Sequence, residues 1–121
     1  MKSYFLKAAL FTAYSMICAC SQGSLSKEES RIINGQGEVM RVLTINSPED
    51  LEVLRRPCYE LSDRELRSED FETLARKMVA TVTSPEQDGV GISGPQVGIS
   101  RRVIAVQRFD KESEFFNFVY L

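Results

Sequence analysis

A glycine-rich and proline-containing run directly after an amphipathic segment is the feature that most constrains the fold. Residues 89–98 read G-V-G-I-S-G-P-Q-V-G, with four glycines and one proline in ten residues. Such a run disfavours a regular helix, because proline lacks a backbone donor and glycine loses the most conformational freedom when it is ordered. The run therefore predicts an irregular backbone that passes close to another part of the molecule.

The segment before this run is the most periodic part of the chain. Its apolar residues fall at i, i+3, i+4, i+7, i+8 and i+11, which is one stripe of a helix; they are Phe71, Leu74, Ala75, Met78, Val79 and Val82. Ser84-Pro85 ends the pattern, because a residue before proline is disfavoured in the helical region. A core helix is predicted over residues 71–82.

Shorter elements are predicted around this helix. Val39–Ile45 is β-branched and apolar and indicates a strand, and Pro48–Leu54 indicates about one helical turn. Ser62 and Glu65 have the spacing of a capping box. Val103–Val106 and Phe115–Leu121 have the composition of strands. Together these elements predict an α+β fold.

Two general interpretations of the glycine run fail on their context. Gly89–Gly94 matches G-x-G-x-x-G, but a dinucleotide site needs a strand before that pattern and a helix after it. Gly91–Pro95 approaches the G-x-S-x-G nucleophile elbow, but proline replaces the second glycine. The chain also has no histidine that could serve as the base of a serine nucleophile.

The run resembles the first signature motif of peptide deformylases, G-φ-G-φ-A-A-P-Q-φ-G, in which φ is apolar. Ser93 and Gly94 stand where that family usually has alanines. The flanks are also similar, with an opening strand at residues 42–45, a leucine-basic-x-proline stretch at residues 54–57 and a following strand at residues 102–106. The resemblance covers residues 39–121 and implies a deformylase-like α+β fold that is truncated before the metal-binding motifs.

The resemblance implies roles for four residues. Gln96 matches the glutamine that donates a hydrogen bond to the oxyanion formed when water attacks the formyl carbonyl. Gly89, Val90 and Gly91 match the residues that hold the extended peptide substrate. The implied activity is metal-dependent hydrolysis of the N-formyl group from the N-terminal formylmethionine of peptides. The alternative at this site is a tight turn with Gln96 as a solvated or structural side chain.

The other two motifs of that family, E-G-C-L-S and H-E-x-x-H, have no counterpart in this sequence. A divalent metal of the iron or zinc type is expected for the complete domain, whereas this chain is expected to bind none and to be inactive by itself. Cys58 has no ligand partner nearby in the sequence and is interpreted as a small buried thiol. The alternatives to a deformylase function are that the chain is a lipid-anchored, non-catalytic peptide-binding remnant, or that it is a gene fragment.

The first 19 residues have the order of a signal peptide. Lys2 and Lys7 precede about ten largely apolar residues, half of what a membrane-spanning helix needs. Ile17-Cys18-Ala19-Cys20 resembles a bacterial lipobox, with Cys20 as the acylated residue. Residues 20–38 are predicted to be a flexible tether, and residues 39–121 the folded domain. A retained apolar helix, or cleavage by the ordinary signal peptidase, are the alternatives.

The net charge and the predicted lipid attachment limit the partners that this chain is expected to have. The formal net charge of −2 comes with no basic cluster, so nucleic acid is not an expected partner. A formylated peptide is the expected substrate of a completed domain, and the membrane is the expected partner of the lipid chains. The predicted location is the bacterial cell envelope, on the periplasmic or outer-membrane side, with secretion as the alternative.

Overall fold

The structure, a computed structural model, describes residues 25–109 and the backbone of residues 117–119. Its helices are α1 (Lys27–Ile33), α2 (Pro48–Leu54), α3 (Asp63–Leu66), α4 (Glu69–Val82) and a 3-10 helix (Pro95–Val97). Its strands are β1 (Gly91–Ser93), β2 (Ile104–Val106) and β3 (Asn117–Val119). The residues predicted to form a signal peptide, the predicted lipidation site Cys20 and most of the predicted last strand lie outside the described residues. The mixture of helices with a small sheet confirms the α+β class.

Helix α4 confirms the predicted core helix. Ser68 caps it by accepting a hydrogen bond from the Phe71 amide. The negative charges of the acidic residues in its first turn stabilise the helix, because they lie at the positive end of the helix dipole. Four residues of the apolar stripe are buried and two are half-buried, and Leu74 and Met78 are fully inaccessible to solvent. The helix ends at Val82, two residues before the Ser84-Pro85 pair. The residues of this element therefore determine its start, its buried face and its end.

The two short helices before α4 also form where the sequence predicts them. Helix α2 has Pro48 in its first turn, where the missing amide hydrogen costs nothing, and Ser47 as its N-cap. At α3 both hydrogen bonds of the capping box are present, because Ser62 and Glu65 each accept from the other's backbone amide. The predicted helical turn and the predicted capping box are confirmed.

The three strands form an antiparallel sheet in the order β1-β2-β3. Ile92 lies opposite Ala105, and Ala105 lies opposite Phe118. Ile92 and Ala105 are buried, and α4 packs against both of their strands. The core thus lies between α4 and the sheet. An irregular backbone is predicted for the whole glycine run, but three of its residues, Gly91–Ser93, form the first strand of the sheet. The predicted strand over residues 103–106 is confirmed within one residue.

Part of the predicted tether is instead a packed helix. Ser26 and Glu29 form a capping box at the start of α1, and Ile33 is fully buried. The Ser30 hydroxyl donates to an Asp70 carboxylate oxygen at 2.5 Å, and the buried Lys77 ammonium donates to the Gly35 carbonyl at 2.6 Å. A helix as short as α1 needs only a few apolar side chains to pack against the core. Residues 25–38 are therefore polar in composition, which is why the sequence predicts a tether there.

The predicted strand over Val39–Ile45 is wrong, because these residues have no strand assignment. The segment is nevertheless held in place by single hydrogen bonds. The Met40 amide donates to the Thr81 hydroxyl at 2.8 Å, and the Leu43 amide donates to the Gln96 carbonyl at 2.8 Å. Its β-branched composition matches a strand, but its main chain meets a helix and a turn instead of another strand.

Candidate peptide-binding site

Among the described residues strand β1 lies at the edge of the sheet, and its unpaired side, the free edge, is the first part of the site. The main-chain bonds that flank the β1–β2 ladder run from the Gln107 amide to Val90 and from the Gly94 amide to Val103. Main-chain groups alternate in direction along an antiparallel strand, so those of Gly91 and Ser93 point away from β2. Gly91 is exposed, and its main chain is therefore available to an added extended peptide.

The side chain of Gln96 lies at the end of this edge. Its Oε1 accepts a hydrogen bond from the Ser93 amide at 2.9 Å and another from the Ser93 hydroxyl at 3.1 Å. Its Nε2 group donates to no other residue among those that the structure describes. Gln96 thus accepts from the outward-facing amide of Ser93, and its own two N–H groups have no partner in the described part of the chain.

The turn that carries Gln96 is tightly folded around two glycines. Gly98 has φ of +85° and ends the 3-10 helix in the left-handed region, which glycine adopts without steric cost. At Gly94 the backbone is right-handed, but a Cβ atom would lie 2.7 Å from the Arg101 carbonyl oxygen and 2.8 Å from that of Ile99. The chain therefore crosses Gly94 at a distance that no side chain permits.

Arg101 anchors the far side of this turn. Its guanidinium binds both carboxylate oxygens of Glu29, at 2.9 and 3.1 Å, and contacts Glu65 at 2.9 Å. The three side chains are at most 14% exposed. Burial opposes the ionisation of Glu29, but hydrogen bonds from Arg101 and Ser26 and the charge of Arg101 outweigh it and lower the pKa of that carboxyl. Helices α1 and α3 are thereby fastened to the turn.

A cavity of about 410 Å³ borders the motif on the side of Ser93 and Pro95. Its wall is largely apolar and includes Val103, Ile104 and the half-buried, free Cys58. The thiol interpreted from the sequence as buried is thus only partly so. Its position beside the motif could not be read from the sequence, because residues 58 and 93 are brought together by the pairing of Tyr59 with Arg101.

The described residues do not fit a divalent metal. Within residues 25–109 no three His, Cys, Asp or Glu side chains lie close enough together to hold one. The whole sequence contains no histidine, which is the nitrogen ligand of most catalytic zinc sites. Nor does any helix in this part of the chain have the length and apolar character needed to cross a bilayer.

The structure brings the predicted site residues of the motif together. Gly89, Val90 and Gly91 lead into the free edge, Val90 is 58% exposed, and Gln96 stands at the end of that edge. The sequence analysis did not predict that Ser93 contacts the Gln96 side chain. The signal that could have indicated it is that a serine stands here where the motif usually has an alanine.

This fold and motif are matched in known proteins. A family model described as polypeptide deformylase matches residues 39–118. A peptide deformylase of Leptospira biflexa is 30% identical over 77 residues. The Met-Ala-Ser-bound class I type b peptide deformylase from Acinetobacter baumannii is 31% identical with a TM-score of 0.54, and a second ligand-bound structure of it is 34% identical with the same TM-score.

These matches define an α+β protein with the deformylase architecture. The chain belongs to the polypeptide deformylase family. The match to the Leptospira biflexa protein covers 64% of this chain and 40% of the relative. The match to the Met-Ala-Ser complex covers 68% of this chain and 52% of that chain. The chain therefore spans about half or less of the length of these relatives, and helix α1 precedes the residues that the family model matches.

Proposed function

We propose that this chain carries the peptide-binding and carbonyl-recognising part of a peptide deformylase. The substrate is a peptide with an N-terminal formylmethionine, and the reaction is hydrolysis of its formyl group. The observation that carries the proposal is the Gln96 carboxamide, whose Oε1 accepts from the outward amide of Ser93 and whose Nε2 has no partner among the described residues.

The free edge of β1 accounts for the binding of an extended chain. A peptide that adds to this edge can exchange main-chain hydrogen bonds with Gly91, and the absence of a side chain there permits close approach. It cannot continue past Ser93, whose amide is already bonded to Gln96. An added strand therefore ends next to the Gln96 carboxamide. This position suits the recognition of the formyl group at the end of a peptide.

The Gln96 amide accounts for recognition of the formyl carbonyl. A fixed neutral donor aimed at an oxygen that gains negative charge contributes about 3 kcal/mol of transition-state stabilisation. Because Oε1 is held by two donors, Nε2 has a defined direction before any ligand binds. The water that attacks the formyl carbonyl has to be activated by a metal of the iron or zinc type. The ligands of that metal have to come from outside the described residues.

A second candidate is peptide binding without catalysis, in a lipid-anchored protein. It is favoured by the same edge, which is complete within the described residues. We propose attachment to the cell envelope through acylated Cys20 for either candidate, on the order of charged, apolar and small residues in the first 20 positions.

Titration of the ¹⁵N-labelled chain with formyl-Met-Ala-Ser and with Met-Ala-Ser tests the proposal. We expect both peptides to shift the backbone amides of residues 89–91 and only the formylated one to shift the side-chain amide of Gln96. Gln96→Ala should remove the preference for the formylated peptide, which is about two- to tenfold for one hydrogen bond. Gln87→Ala, in the exposed turn before the motif, is the control and should keep it.

The outcomes separate the two candidates. Equal binding of both peptides at residues 89–91 would contradict formyl recognition and leave general peptide binding. No shift at residues 89–91 with either peptide would contradict both candidates, because the edge would then bind no extended chain.

A further inference from the structure

We infer that Ser93 is a positioning residue that sets the direction of the Gln96 carboxamide. The inference deepens the proposed function, because it gives the reason why the amide nitrogen of Gln96, and not its oxygen, is presented to the formyl carbonyl. It concerns a residue at which this chain differs from the alanine usual in the motif that it resembles.

The backbone amide of Ser93 determines which end of the carboxamide faces it. A backbone N–H only donates, so the Gln96 atom 2.9 Å away has to be the carbonyl oxygen. The reversed amide would place two donors against each other and leave the Ser93 N–H unpaired. The Nε2 group consequently points away from the Ser93 amide and remains able to donate to a carbonyl oxygen, which the proposed function identifies as the terminal one of an added strand.

The hydroxyl of Ser93 adds a second restraint that an alanine could not supply. It donates to the same Gln96 oxygen at 3.1 Å, from a half-buried position on the wall of the 410 Å³ cavity. Two donors from one residue on a single oxygen restrict rotation about the last side-chain bonds of Gln96. They also polarise the amide, which makes its N–H groups stronger donors.

The main chain around Ser93 is rigid enough to transmit this restraint. Ser93 lies opposite Ile104 in the ladder, and the Gly94 amide that follows it donates to Val103 at 2.8 Å. On the other side, the Gln96 carbonyl accepts from the Leu43 amide at 2.8 Å. Both ends of the Ser93–Gln96 contact are therefore fixed by main-chain bonds, and only the side-chain amide is left to be oriented.

The test uses the free full chain and four variants. The ¹⁵N signal of the Gln96 side-chain amide is assigned by its loss in Gln96→Ala, and its order is measured by the heteronuclear NOE. In Ser93→Ala we expect this amide to become markedly more mobile. Ser93→Thr keeps the hydroxyl on a β-branched residue suited to a strand and should restore the wild-type value. Ser100→Ala, in the same turn, is the control and should change nothing.

A second measurement connects the amide to its ligand. If formyl-Met-Ala-Ser binds as proposed, Ser93→Ala should weaken its binding about three- to tenfold, with binding of Met-Ala-Ser unchanged. Ser93→Thr should recover the affinity for the formylated peptide. A role in stability alone would weaken both peptides equally.

The results distinguish this inference from the proposed function. Increased mobility of the Gln96 amide in Ser93→Ala, with recovery in Ser93→Thr, supports the positioning role even if neither peptide binds. An unchanged amide in Ser93→Ala would overturn it, and so would equal loss of order in the Ala and Thr variants. Failure of the proposed function would instead be seen as the absence of peptide-induced shifts in the wild-type chain.

Discussion

Replacing Gly94 by alanine restores the residue usual in the motif and should nevertheless destabilise this protein. The added Cβ would lie 2.7 Å from the Arg101 carbonyl oxygen, 2.8 Å from that of Ile99 and 2.9 Å from Val103 Cγ1. Two of these atoms belong to the backbone, so a rotamer change cannot relieve the contact. The turn itself has to open, although its right-handed dihedral angles suit alanine.

The magnitude follows from two opposing terms. Overpacking of this kind costs about 1–3 kcal/mol. Alanine reduces the conformational entropy of the unfolded chain, which returns about 0.4–1 kcal/mol. We expect a net loss of about 1–2 kcal/mol, which lowers the midpoint of urea unfolding by about 1 M for a protein of this size.

The matched control for this substitution is Gly89→Ala. A Cβ at that position would meet no atom closer than 3.6 Å, and its backbone lies outside the left-handed region. Its stability should equal that of the wild type or exceed it by a few tenths of a kcal/mol. A Gly94→Ala variant as stable as Gly89→Ala would refute the close crossing at Gly94 and, with it, the description of the turn that carries Gln96.

Three other predictions concern the attachment of α1, the anchor and the donor. Glu29→Gln keeps the capping-box acceptor but loses the charge, and should cost about 1–2 kcal/mol at pH 7, whereas the exposed Glu28→Gln should cost nothing measurable by urea unfolding. The pKa of Glu29 is lowered from its ordinary 4.5, so the contribution of its charge to stability is complete above that pH and is lost as the pH falls below it. The free energies of unfolding of Glu29→Gln and Glu28→Gln should therefore become equal in acid. Cys20→Ala should leave an unacylated precursor and Cys18→Ala should still be processed, as mass spectrometry of the membrane fraction would show; an intact Met1 in the wild type would contradict the anchor. In a chimera completed with the C-terminal half of a relative, Gln96→Ala should lower kcat about 100-fold, and an unchanged kcat would exclude Gln96 as the oxyanion donor.

The elements that could be predicted are those whose information is local. A 3.6-residue period and its terminal residues were sufficient for α4, and a serine followed three residues later by a glutamate was sufficient for the start of α3. These features depend on contacts between residues three or four apart, so the surrounding fold does not alter them. Gln96 could likewise be placed in a glycine-rich loop because the motif is continuous in the chain.

The errors occurred where the deciding partner is distant in sequence. Residues 27–33 read as a tether, yet Ser30 and Asn34 both bind Asp70, about 40 residues away. Residues 39–45 read as a strand, yet a strand needs a neighbouring strand, and the Leu43 amide meets the Gln96 carbonyl instead. Neither polarity nor β-branching of a segment states which partner it will meet.

The sequence by itself determined the family, the core helix and the position of a glutamine in a glycine-rich run after that helix. Only the tertiary structure decided that part of the run forms a strand and how the side chain of that glutamine is held. It placed Ser93 against the Gln96 oxygen, folded the turn so closely that Gly94 admits no side chain, and fastened α1 to that turn through Glu29 and Arg101. The physical reason is that composition and spacing encode backbone preference, whereas the direction of a side-chain amide depends on which groups the fold brings within 3 Å of it.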